Sequence, residues 1–177
     1  MFTVSYGSRC REEKIREMAE SDPTTAVILA SVHFEWMIKR AILKIGLSPT
    51  RNLRSELEGI YKLKDNQNHN DYISIWNREV AAQMKKSKLG TVLGNLHKIQ
   101  RGALTVRGRI IHGNGTVSNE VGVATVEVFI KASKKIREFL EKRGFDIDTK
   151  LKSRRNAKES SGCGSNNEYK VNNKSRI

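Results

Sequence analysis

Two side chains suited to phosphate chemistry lie close together in the segment VRGRIIHGNG, residues 106–115. These are Arg107 and His112, which four residues separate. An imidazole titrates near neutral pH and transfers protons, and a guanidinium holds phosphate oxygens in a planar fork and stabilises charge that develops on them. Because RNA supplies its own nucleophile, the 2′-hydroxyl, a histidine and an arginine together can cleave RNA without a metal ion. We therefore take both residues as catalytic candidates.

The spacing of this pair sets a condition on the geometry. Five steps along an ideal helix leave two side chains about 140° apart, so Arg107 and His112 converge only if the helix loosens near its end. The Gly-Asn-Gly segment at 113–115 supplies that freedom. Arg109 shares the face of His112 more directly, and Arg109 and Asn114 are candidate supporting residues. The alternative is an ordinary helix end, where cationic side chains favour the negative pole of the helix dipole.

Three residues outside this segment are further candidates. Glu35 lies in an apolar stretch, where an unpaired carboxylate is costly. It either pairs with an arginine of the segment and orients it, or is partly exposed beside Lys39, four residues further on. Lys98 and Arg101 precede the segment and are candidates for a basic stripe that binds RNA.

Apolar residues recur at helical spacing over most of the chain, which predicts the elements that hold these side chains. The predicted helices cover residues 8–20, 22–45, 48–63, 71–84, 89–111 and 119–143. Capping residues mark their starts at Ser8, Asp22-Pro23, Ser48-Pro49 and Asn119-Glu120. We expect an all-α bundle of five or six helices in which 22–45 and 89–111 pack together. Val, Ile and Thr at 121–130 leave a strand as an alternative there.

Composition divides the chain into a helical domain, residues 1–144, and a tail, residues 145–177. The tail is rich in Ser, Asn, Lys and Arg, and from residue 150 it carries 8 basic and 2 acidic side chains, or 8 − 2 = +6. Such a segment buries too little apolar surface to offset its ordering entropy, so we expect a disordered basic tail. The whole chain of 177 residues has a net charge of +14. That charge favours binding to a polyanion, and nucleic acid is the first candidate. The alternative is that the charge keeps the protein soluble and has no specific partner.

Several classes of protein are not expected. Charged residues interrupt the most apolar stretch, 26–45, which argues against a membrane span. The N-terminal sequence lacks the features of a signal peptide. Cys10 and Cys163 do not form a disulfide framework, so we expect a reducing cytoplasm. No Cys/His pair has the spacing of zinc ligands, and we expect neither a metal nor a cofactor.

The arginine–histidine segment resembles the signature of HEPN-domain proteins, which is Arg, four to six residues, then His. RGRIIHG fits that pattern at the end of an apolar helix, and AVILASVHFEWMIKRAIL resembles the family's helix that carries an inward acidic residue, here Glu35. The resemblance covers about residues 20–143. It implies a helical bundle that dimerises with the two motif helices facing each other. Many members are metal-independent endoribonucleases of toxin–antitoxin pairs, phage defence and RNA processing, whereas others only bind RNA or partner proteins.

Two positions depart from the family's pattern. Gly108 follows the arginine where the family often has a polar residue, and Asn114 stands where one toxin branch carries a tyrosine that its antitoxin modifies. The resemblance implies a homodimeric, metal-independent endoribonuclease of the toxin or anti-phage type, with RNA as substrate and an antitoxin or regulatory protein as a further partner. The alternative is a non-catalytic HEPN-like protein that binds RNA or a partner.

Overall fold

Helices make up most of the part of the chain that the structure describes. The computed structural model covers residues 7–60, 68–84 and 87–151, and describes side chains for all of these except residues 68–71 and 97–101. Its α-helices are α1 (Ser8–Ser21), α2 (Pro23–Ile45), α3 (Thr50–Gly59), α4 (Asn68–Trp76), α5 (Leu89–Leu93), α6 (Leu96–Ile111) and α7 (Asn119–Glu141). A π-helical segment, Asn77–Ala81, continues from α4. No strand occurs in the described ranges, so the all-α prediction is confirmed, and residues 121–130 are helical.

Local signals account for the starts of the two longest helices. Asp22 accepts a hydrogen bond from the amide of Thr25 at 3.0 Å, and Pro23 opens α2. A helix can begin with proline because its first amides have no partner within the helix. The side chain of Ser118, one residue before the predicted cap, accepts from the amide of Val121 at 3.5 Å. No helix in the described part of the chain is both long enough and apolar enough to span a bilayer.

The centre of the bundle is the packing of α2 against α7. This is the most extensive contact between helices, whereas α6 packs mainly on α7 and touches α2 over a shorter stretch. Phe34 and Phe129 meet in the core with ring centroids 5.9 Å apart. Gly122 lies so close to Pro23 that a Cβ atom there would come within 2.4 Å of the proline Cβ. The predicted packing of 22–45 against 89–111 occurs over a short stretch of α6, whereas α7 is the principal partner of α2.

The predicted long helix 89–111 is two helices. Gly94 has φ of 59° and ψ of −136°, a conformation outside the helical region, and it separates α5 from α6. Glycine adopts such a backbone without a Cβ penalty. The apolar periodicity continues through the break because Leu93 is buried and Leu96 is partly buried. The break raises the number of α-helices in the described residues above the five or six expected.

The segment that follows α7 packs against the bundle as far as Leu151. Ile147 is only 1% exposed, and its carbonyl accepts a hydrogen bond from Nε of Arg40 at 2.9 Å. The carboxylate of Asp148 accepts from the amide of Ser8 at 2.9 and 3.0 Å, so it caps α1 from the far end of the chain. Ser8 does not cap α1 as expected, because it is itself the first residue of the helix. The packed region therefore extends beyond the predicted boundary at 144, and residues 152–177 lie outside the described residues.

A buried charged cluster joins α1, α2 and α7. Both carboxylate oxygens of Glu12 accept hydrogen bonds from Arg137, each at 2.8 Å, and one also lies 3.2 Å from Nε2 of His33. Burial disfavours the charge of Glu12, but the hydrogen bonds from His33 and Arg137 outweigh burial and lower its pKa. The cluster fixes the three helices in one register, because a buried charge that lost its partner would be strongly destabilising.

Candidate functional site

A pocket of about 420 Å³ lies between α2 and α6 and contains the two catalytic candidates. It is lined by Phe34, Glu35, Ile38, Tyr72, Leu104, Thr105, Arg107, Gly108, Ile111 and His112. The structure thus brings together Arg107, His112 and Glu35, which come from positions about seventy residues apart in the sequence. The remaining described lining is largely apolar, with Phe34 and Ile38 buried and Ile111 exposed.

Arg107 and Glu35 form a loose ion pair in this pocket. Nη2 of Arg107 lies 3.6 Å from Oε1 of Glu35, and the two side chains are 33% and 18% exposed. This distance exceeds that of a hydrogen bond. Nε of Arg107 is buried and has no hydrogen-bond acceptor among the described residues. The fold therefore positions the guanidinium while leaving most of its donors available to a ligand.

The environment of Glu35 raises its pKa. Burial makes the largest contribution, and the positive charges of Arg107 and Lys39 oppose it without cancelling it. Of the two arginines that the sequence offered as partners, Arg107 is the one that pairs with Glu35. Lys39 also contributes a positive charge, so Glu35 has both predicted neighbours, an arginine of the segment and Lys39.

The C-terminus of α6 holds His112 at the mouth of the pocket. The amide of His112 still donates to the carbonyl of Gly108 at 3.0 Å, so helical hydrogen bonding continues to this residue. Gly113, with φ of 70°, donates to Ile110 at 3.1 Å, and Asn114 donates to Arg109 at 2.9 Å. This pair of bonds is the Schellman motif. The helix does not loosen before His112 as we expected; both side chains border the pocket because it extends along the last turns of α6.

Arg109 and Asn114 do not join this pocket. They line a separate cavity of about 180 Å³ between the end of α6 and the start of α7, together with Val106 and Val121. The exposed side chain of Arg109 lies on a different face of α6 from Arg107. What Asn114 contributes to the end of the helix is its backbone amide. Neither residue therefore lies where it could support the catalytic candidates directly.

The basic-stripe candidates cannot be placed in relation to the pocket. Lys98 and Arg101 belong to the N-terminal half of α6, but their side chains lie outside the described residues, as does the basic segment 152–177. Among the side chains that are described, no group of three or more His, Cys, Asp or Glu residues is arranged to hold a metal ion.

Sequence reasoning missed the apolar wall of the pocket. Phe34 and Ile38 flank Glu35 on α2, and Leu104 lies one helical turn before Arg107 on α6. The signal was present, since residues three and four apart share a helix face. These apolar positions are typical of a core, and Phe34 and Ile38 are core residues, 1% and 0% exposed, that lie beneath the pocket.

Comparison of the chain with protein-family models, with curated proteins and with solved structures finds no match in any of the three. The chemistry of the pocket and the motif at the end of α6 therefore carry the functional argument.

Proposed function

We propose that the chain is a metal-independent endoribonuclease in which Arg107 and His112 act on an RNA phosphate. The observation that supports this function is that both side chains border one pocket, where the guanidinium of Arg107 makes only one long ion pair. The fold holds the guanidinium of Arg107 in place but occupies few of its N–H donors, so those donors can bind a phosphate. The HEPN-like motif agrees with this assignment.

The reaction is an intramolecular displacement at phosphorus. The 2′-oxygen forms a bond to phosphorus and loses its proton to a base, while the bond from phosphorus to the 5′-oxygen breaks and that oxygen gains a proton. The products are a 2′,3′-cyclic phosphate and a 5′-hydroxyl. Arg107 stabilises the charge on the phosphoryl oxygens in the transition state, and His112 transfers a proton as general acid or base.

We further propose that two copies of the chain work together. The displacement needs both a base and an acid, and His112 is the only histidine among the described residues that line this pocket. A homodimer would supply a second histidine to a shared cleft. In this proposal the protein acts in the cytoplasm as a toxin or anti-phage effector, held in check by an antitoxin or regulatory protein.

A second candidate function is RNA or partner binding without catalysis. His112 is exposed, and its imidazole makes no hydrogen bond to any described residue. Catalytic histidines are commonly oriented by a partner on the second ring nitrogen. A binding protein does not need such orientation, so this observation favours the alternative.

Incubation of the purified protein with RNA in EDTA distinguishes the two functions. Fragments with 5′-hydroxyl and cyclic phosphate ends, absent with His112→Ala, are expected for the nuclease. Arg109→Ala is the matched control for Arg107→Ala, because both arginines lie on α6 but only Arg107 borders the pocket. Intact RNA that is shifted in a gel would instead establish the binding protein, and cleavage that requires an added metal ion would overturn the metal-independent mechanism.

A further inference from the structure

The inner part of the pocket differs in chemistry from its mouth. Leu104 and Ile111 give it an accessible apolar wall above the buried Phe34 and Ile38, and Glu35 is the acidic group among the described residues that line it. The volume of about 420 Å³ lies within the usual range for a small-molecule site. A phosphate held by Arg107 and His112 does not require an apolar wall or a carboxylate. The pocket therefore has a second part that the proposed chemistry leaves unused.

Glu35 has unused capacity to accept hydrogen bonds. Its nearest charged partner, Nη2 of Arg107, is 3.6 Å away, and neither carboxylate oxygen accepts a hydrogen bond from a described residue. The side chain is 18% exposed, and neither of its oxygens is among the fully buried polar atoms without a partner, so solvent reaches the carboxylate. Polar side chains that line a pocket normally have a hydrogen-bond partner, and no described residue supplies one here. A ligand that donates hydrogen bonds to this carboxylate would provide one.

We propose that Glu35 and the apolar wall bind the guanine base of a single-stranded RNA, next to the phosphate held by Arg107. This inference rests on the proposed function, because it places the base and the phosphate of one substrate in the same pocket. The fold supports it by placing Glu35 and Arg107 in one pocket, where Nη2 of Arg107 lies 3.6 Å from Oε1 of Glu35.

Guanine is selected by the chemistry of its Watson–Crick edge. Its N1–H and its 2-amino group are adjacent donors, which match the two oxygens of one carboxylate. Adenine and cytosine each present one amino group beside a ring nitrogen that is an acceptor, and uracil places carbonyls on both sides of its single N–H; an ionised carboxylate would repel these acceptors. The flat face of the base can pack on Leu104 and Ile111, which line the pocket and are not buried. RNA-binding proteins commonly read unstacked bases in this way.

Nucleotide binding by the full chain tests the inference without any need for cleavage. Calorimetry with 5′-GMP, AMP, CMP and UMP should give tighter binding of GMP by about 5- to 150-fold, as for other bidentate base contacts. Inosine monophosphate, which lacks the 2-amino group, should lose much of that preference. Glu35→Gln should abolish it, because a carboxamide presents one acceptor instead of two. Glu17→Gln, which changes an exposed carboxylate on α1, should leave it unchanged.

The Glu35 variant is expected to stay folded. Burial raises the pKa of Glu35, so its charge costs folding free energy at neutral pH and the neutral glutamine removes that cost. A thermal melt checks this, and the comparison of GMP with inosine monophosphate on the unchanged protein does not depend on the variant.

The outcomes separate this inference from the proposed function. RNA cleavage combined with equal binding of the four nucleotides, competed by inorganic phosphate, would overturn the guanine site and leave the nuclease standing. A GMP preference that depends on Glu35, in a protein that cleaves no RNA, would support the guanine site and overturn the nuclease. Retention of the GMP preference in folded Glu35→Gln would also overturn the guanine site.

Discussion

Replacement of Arg107 by alanine is expected to damage catalysis far more than folding. The side chain is 33% exposed, and its one described ion pair, with Glu35, spans 3.6 Å. Exposed ion pairs of this kind contribute about 0–1 kcal/mol to stability. In contrast, removal of one donor to a transition-state oxyanion typically lowers the rate by about 10²–10³, which corresponds to roughly 2.7–4 kcal/mol. The catalytic loss should therefore exceed the loss of folding free energy several-fold.

Single-turnover cleavage at saturating RNA measures this difference. Arg107→Ala should lose about 10²–10³ in rate, and Arg107→Lys should recover little because it keeps the charge but lacks the planar fork. Arg109→Ala should cleave at the wild-type rate. His112→Ala should lose about 10²–10⁴. The double variant Arg107→Ala/His112→Ala should lose much less than the product of the single losses, because the two groups act on one step.

Two results would refute this reasoning. Equal rates for the alanine variants of Arg107 and Arg109 would show that position on α6, and with it the pocket, does not matter. A rate loss in Arg107→Ala that matches its loss of folded protein, measured by circular dichroism under the assay conditions, would assign the arginine to structure alone.

Four further outcomes are expected. Hydrogen bonds lower the pKa of Glu12 in the folded protein, so its ionised form stabilises the fold above the pKa of an unfolded glutamate, and this stabilisation is lost as the pH falls through the folded pKa. The unfolding free energy should therefore fall less steeply with acid in Glu12→Gln than in the wild type. An identical slope would show that Glu12 is not a source of the acid sensitivity. Asp148→Ala removes the cap of α1 and should cost about 1 kcal/mol in denaturant unfolding, whereas no change would mean that Ser8 is capped by other means. Deletion of residues 152–177 should flatten the salt dependence of RNA binding and spare the single-turnover rate; a lost chemical step would place the segment in the active site. Analytical ultracentrifugation should give about 40 kDa, twice the chain mass of 20.1 kDa, and a monomer that cleaves RNA would overturn the shared cleft.

Local signals made the main helices predictable. The aspartate and proline at the start of α2 act within one turn, and a buried apolar stripe runs through α7. The break at Gly94 was not predictable in the same way, because the apolar spacing continues on both sides of it. Contacts between distant segments were the least predictable, because nothing near Ser8 in the sequence indicates that Asp148 accepts a hydrogen bond from its amide.

In the candidate site, too, the residues were predictable from the sequence but their tertiary contacts were not. Arg107 and His112 were found from residue chemistry and spacing, and they do border one pocket. The sequence could not decide which arginine meets Glu35, since that depends on the rotation of α6 relative to α2. Arg109 lies on a different face of the same helix. A difference of two residues along a helix changes the direction of a side chain by about 200°, and only tertiary packing sets which direction is useful.

The capping of α1 by Asp148 has a consequence for synthesis on the ribosome. The amide of Ser8 and its acceptor are 140 residues apart, and the bidentate partner of Glu12, Arg137, is 125 residues away. Helix α1 must therefore wait for α7 before Glu12 meets Arg137, and for the segment after α7 before the amide of Ser8 meets Asp148. A nascent chain halted before α7 would carry Glu12 without its arginine partner and would expose the face of α2 that packs on α7. Stable assembly of the bundle is in this way coupled to translation as far as Asp148.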